Sequence, residues 1–121
     1  MRFARIVFGV AGAWGLLVLT PLYTAAPPDT RPEYYYGFLA VALAWQAAFL
    51  IIATNPARFR PIMPAAMLEK FIYVGTIATL IYQERVTGTV VFGAAADLVL
   101  GCLFVVAFLR SRPAASAAPA L

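Results

Sequence analysis

The sequence has no histidine, a single cysteine and few charges, and each scarcity removes a class of function. Without histidine, and with Cys102 alone, the chain lacks the side chains for a His- or Cys-based zinc site, a His-ligated haem or an internal disulfide. No metal and no cofactor is therefore expected, and Cys102, well inside an apolar run, is read as a small hydrophobe buried among other side chains. Charged residues make up 12% of the chain and hydrophobic ones 64%, whereas a soluble domain carries about 25% and about 45 to 50%. With a mean hydropathy of +0.87, the composition excludes an ordinary soluble domain and makes the lipid bilayer the first partner. The net charge of +4 comes almost wholly from arginine. No basic stripe suits a nucleic-acid groove, so these arginines are read as marking one side of a membrane.

What is present is four long apolar runs. A helix needs about 20 such residues to cross a hydrocarbon layer of about 30 Å, so four spans would use most of the 121 residues. The expected fold is all-α, a four-transmembrane-helix bundle over 1–112 with spans at about 3–23, 34–54, 63–83 and 89–109, and a disordered Pro/Ala/Ser tail at 113–121. The first run begins like a signal peptide, with Arg2 and Arg5 ahead of apolar residues. It is longer than the 7 to 15 residues of a signal core, and Pro21 and Tyr23 close it like an interface, so it is read as a span.

Span two opens on Tyr34, Tyr35 and Tyr36, rings suited to a membrane interface, and carries Gly37, Ala40, Ala44 and Ala48 at near four-residue spacing, a stripe expected to seat a neighbouring helix. The loop 55–61 (NPARFRP) ends one helix and starts the next with prolines and exposes Arg58 and Arg60. With four spans, Arg2, Arg5, Arg58, Arg60, Arg110 and Arg112 fall on one side and only Arg31 and Arg85 on the other. The positive-inside bias then makes both termini cytoplasmic and argues that the weakest span, the one holding Glu69 and Lys70, does cross.

Ionisable groups inside spans are costly enough to need a reason. Glu69, Tyr73, Thr76, Leu80 and Gln83 share one helical stripe, expected to face the bundle. Lys70 lies about 100° from it and is expected to run along lipid to the nearby surface, leaving Glu69 to pair with Arg60, Arg5 or Arg112. Asp97 sits in Gly93-x-x-x-Asp97-x-x-x-Gly101, a close seam. Counted from the span ends, Asp97 is about 18 Å deep and Lys70 about 9 Å, which makes Thr76 the level partner, with Trp14 and Gln46 in range, and leaves the carboxyl neutral among neutral donors. The candidate ligand- or proton-binding residues are thus Asp97, Glu69, Tyr73, Thr76, Gln46, Trp14, Trp45 and Lys70, with no catalytic residue assigned.

The run Pro32 to Gln46 (PEYYYGFLAVALAWQ), with Asn55-Pro56, Arg60-Pro61 and Leu68-Glu69-Lys70, resembles small four-span bacterial membrane proteins, a likeness that implies the bacterial inner membrane and brings no activity. The sterol-isomerase-like EXPERA family shares the span count and an aromatic-Gln pair like Trp45-Gln46, but the carboxylate expected four residues before that Gln is Ala42 here. Small multidrug exporters are similar in length and need a carboxylate in the first span, and Phe3 to Tyr23 holds none. Neither activity carries over. Three readings remain, in order: a non-enzymatic accessory, assembly or interaction subunit with a membrane-protein partner or a second copy on its small-residue faces; a small carrier or proton-coupled transporter using Asp97 and Glu69; and a lipid- or sterol-modifying enzyme with the same carboxylates as acid and base.

Overall fold

The structure is a computed structural model that describes residues 2–24 and 31–112. The tail at 113–121 and residues 25–30, between the first two spans, therefore lie outside the described residues. The described chain is helical: α1 Arg2–Thr24, α2 Pro32–Thr54, a 3-10 turn Arg60–Ile62, α3 Met63–Tyr82 and α4 Thr89–Arg110. Four helices are long and apolar enough to cross a membrane, the third counted from Arg60 through the 3-10 turn to Tyr82. Such segments stay helical in lipid because the helix satisfies every interior backbone group from within.

The ends follow local chemistry. Pro32 opens α2, where its missing N–H is no loss, after Arg31 in the left-handed region at φ 59°. In the loop after α2 the Asn55 Oδ1 accepts the Arg58 N–H at 3.2 Å, an Asx-type turn. Gly88 precedes α4 at φ 75° and ψ −134°, a conformation that side-chain-bearing residues rarely adopt.

The helices assemble as two antiparallel hairpins, α1 with α2 and α3 with α4, joined along α1 and α4, while α2 and α3 barely touch. The joint is an aromatic cluster. Phe8 stacks on Phe104 with centroids 4.3 Å apart, and Phe49 meets Phe104 at 4.9 Å and Phe8 at 6.1 Å. All three are fully buried, among Ala4, Ala11, Ile52, Met63, Ala66 and Ala107. The six-arginine set gathers at one end of the bundle. There the Arg60 guanidinium lies 3.8 Å from the Phe108 ring centroid and donates to the Phe108 carbonyl at 2.9 and 3.2 Å, and Arg110 lies 4.6 Å from the Phe3 ring.

The small residues that allow close approach are not the ones the spacing of span two picks out. Gly37, Ala40 and Ala44 point outward, with nothing within 4 Å of a methyl built on Gly37. The buried face of α2 is Leu39, Ala42, Gln46, Phe49 and Ile52, and its close neighbour is α1. A methyl at Gly12 would sit 2.7 Å from Leu50 Cγ and 2.9 Å from the Gln46 carbonyl, and one at Gly15 would overlap the Gln46 side chain. Four-residue spacing identifies a stripe but not the side from which a neighbour comes, and α2 already buries a larger face against α1. Cys102 likewise faces outward, not into the core.

Candidate functional site

Glu69, Lys70 and Asp97, the charged side chains well inside the spans, come together. Lys70, on the buried face of α3 with Met63, Ala66 and Ile77, directs its Nζ to 3.1 Å from Asp97 Oδ1 on α4 and 3.6 Å from Glu69 Oε2. Its side chain is 5% exposed, against 20% for Glu69 and 22% for Asp97. The ammonium also faces the Phe49 ring, 5.1 Å from the centroid, an arrangement worth more where water is excluded. The Lys70–Asp97 contact is a charge-assisted hydrogen bond that ties the two helices of the second hairpin.

This arrangement corrects three expectations. Lys70 does not run to the surface, Asp97 is paired with a cation rather than held among neutral donors, and Glu69 faces Lys70 rather than Arg60, Arg5 or Arg112. The cause is register. The 3-10 turn lengthens the third span to begin at Arg60, and Arg60 lies level with Phe108. From that level Lys70 is ten residues in and Asp97 eleven, so both are about 15 to 17 Å deep, and the apparent offset of about 9 Å disappears. Gly101 permits the approach: a methyl there would lie 3.0 Å from the Phe71 ring and 3.2 Å from Lys70 Cβ. Gly93, the other end of the expected seam, has nothing within 4 Å and faces outward.

Of the remaining candidates, Thr76 donates its hydroxyl to the Ile72 carbonyl at 2.8 Å within its own helix and is exposed, so it is not the partner of Asp97. Trp14 is 49% exposed on the outside of α1. Gln46 is buried, donates Nε2 to the Ala42 carbonyl at 2.8 Å and fills the space over Gly15, while its Oε1 has no partner. Tyr73 stacks on Phe38 of α2 at 5.8 Å, and Trp45 tilts on Phe49 at 6.0 Å.

The stripe expected to face the core borders an opening instead. Glu69, Tyr73 and Thr76 line a cleft of about 630 Å³ between α2 and α3, whose other walls include Phe38, Val41, Trp45, Leu68 and Ile72. Among the described residues, Glu69 is the one charged side chain on its walls. Compared with known families, curated proteins and solved structures, the chain matches none. The site's own geometry therefore carries the functional argument. With all three groups ionised, one ammonium serves two carboxylates, so the triad bears a net charge of −1 beside an apolar cleft. Phe49 and Phe38 take part in this site without having been singled out in the sequence; among nine phenylalanines, only the fold distinguishes a ring under an ammonium from a ring in the core.

Proposed function

We propose that the protein is a non-enzymatic, multi-pass protein of the bacterial plasma membrane, with both termini cytoplasmic, that acts as an accessory or interaction subunit by receiving a molecule against the face between α2 and α3. The observation that carries this reading is the unfilled cleft: three helix contacts of a four-helix ring are closed and the fourth stands open on apolar and aromatic side chains. The Lys70–Asp97 pair ties α3 to α4, the buried Gln46 packs over Gly15 of α1, and short connections leave little chain from which to build a reaction site above the membrane. The asymmetric distribution of arginines supports the orientation, and the likeness of the second and third spans to small four-span bacterial proteins supports the compartment.

A photoreactive residue placed at Val41 or Ile72, both exposed on the cleft walls, should crosslink a discrete species in native membranes, whereas one at Leu17, exposed on α1 away from the cleft, should give only diffuse lipid adducts. Identical adduct patterns from all three positions would overturn the reading. A second reading, a small carrier, is favoured by the same charge imbalance, since Glu69 joins the cleft to the triad. Proton flux in proteoliposomes that is lost in Glu69→Gln would favour the carrier over the accessory subunit.

A further inference from the structure

The cleft between α2 and α3 has the dimensions and the charge for one class of occupant. Its volume of about 630 Å³ falls in the range of roughly 300 to 1,000 Å³ typical of small-molecule sites. Its α3 wall runs from Ala65 to Ile77, twelve residues of rise or about 18 Å. That is well short of the hydrocarbon thickness of about 30 Å that a partner transmembrane helix would traverse. Most of the lining is aliphatic or aromatic, and the polar groups are Glu69, Tyr73 and Thr76. Glu69 stands toward the end of the cleft where Trp45 and Ala65 lie, leaving Phe38, Tyr73 and Ile77 beyond it for an apolar chain. The Lys70 ammonium is nearer to Asp97, at 3.1 Å, than to Glu69, at 3.6 Å, and Glu69 Oε2 makes no hydrogen bond. The triad therefore lacks one positive charge, and the carboxylate that holds its ammonium less closely is the one on the cleft.

We infer that the cleft binds a single-chain amphiphilic cation, an alkylamine or alkylammonium, with Glu69 as its counter-charge and its chain along Phe38, Val41 and Ile72. The inference rests on the reading of the α2–α3 face as the interaction face and names what that face receives. The added cation brings the four charged groups to neutrality inside the apolar layer, and Trp45, at the Glu69 end of the cleft, places an aromatic ring near the ammonium. Glu69 can be removed without opening the bundle, because Lys70 and Asp97 then remain as a one-to-one pair.

The test uses the full chain in phosphatidylcholine nanodiscs. Of its two tryptophans, Trp14 lies on the outside of α1, so Trp14→Phe leaves Trp45, on the cleft wall, as sole reporter. Dodecylammonium should shift Trp45 emission saturably and bind roughly tenfold tighter than dodecanol, the worth of one charged hydrogen bond. Glu69→Gln should bring the two ligands to within about twofold of each other with the thermal transition retained, and Val41→Phe, which narrows the cleft at its wall, should weaken saturable binding of both. Equal affinities in the parent protein, or a preference for the ammonium that survives Glu69→Gln, would overturn the inference. If neither ligand binds and a photoreactive residue at Val41 instead captures a defined polypeptide, the occupant is a helix: the amphiphile is wrong and the interaction face stands. Absence of both results would remove the face as well.

Discussion

Removing the Lys70 ammonium is the perturbation that separates the observed triad from a lysine reaching out to the membrane surface. In Lys70→Met the side chain keeps its approximate length and loses its charge, which leaves two carboxylates facing a space formerly held by a cation at 3.1 and 3.6 Å. Removing one partner of a buried pair costs about 3 to 5 kcal/mol in proteins, because the survivor stays behind unpaired. Here both survivors retain about a fifth of their side-chain exposure, 20% and 22%, so they are less enclosed than a fully buried pair and the lower part of that range applies. About 3 to 4 kcal/mol is expected. The loss of the ammonium's contact with the Phe49 ring at 5.1 Å adds a fraction of a kcal/mol in the same direction. Reversible unfolding in mixed micelles, followed by far-ultraviolet circular dichroism, measures the loss. Combining Lys70→Met with Glu69→Gln and Asp97→Asn removes the stranded charges and should restore most of the stability, since neutral replacement of a whole buried ionic group is commonly near neutral. A single Lys70→Met variant as stable as the parent to within about 0.5 kcal/mol would refute the buried pairing.

Other substitutions address separate parts of the molecule. Asp97→Asn breaks the shorter of the two ion pairs and should cost about 1 to 2 kcal/mol in the same unfolding assay, more than Glu69→Gln, which leaves Lys70 and Asp97 paired; the reverse order would show that Glu69 is the principal partner. Gly15→Ala places a methyl where Gln46 lies and should destabilise by about 1 to 3 kcal/mol, whereas Gly37→Ala, with open space around it, should be neutral or stabilise by up to about 1 kcal/mol through helix propensity. Arg60→Lys loses the forked contact to the Phe108 carbonyl and the stacked ring, and should lower stability by about 1 kcal/mol and loosen the register that levels Lys70 with Asp97, detectable as a longer mean distance between spin labels on α3 and α4. Cysteines placed at 59 and 86 in a Cys102→Ala background should label from opposite sides of the membrane, and labelling from one side would contradict the orientation proposed from the arginines.

The sequence by itself determined the number and kind of elements. Four apolar runs of spanning length, separated by Asn-Pro, Arg-Pro and Thr-Gly breaks, leave helices as the structure that satisfies their backbones in lipid, and both Gly88 and the Asn55 turn are local chemistry readable where they stand. It also presented Glu69, Lys70 and Asp97 as groups needing a reason, because a charge inside a span is conspicuous in any order of helices. Only the tertiary structure decided how those charges are spent. Pairing depends on the axial offset between α3 and α4, which is set at the far end of the hairpin by Arg60 on Phe108 and by a 3-10 turn that the apolar pattern does not reveal. The choice of face depends equally on neighbours: Gly37 and Gly12 are the same residue in similar runs, yet α1 and α2 close on Gly12 and leave Gly37 open. Hydrophobic periodicity cannot rank faces here, because lipid and helix are equally apolar surroundings. Residues that touch a neighbour and residues that touch the bilayer therefore carry the same signature until shape complementarity between whole helices separates them.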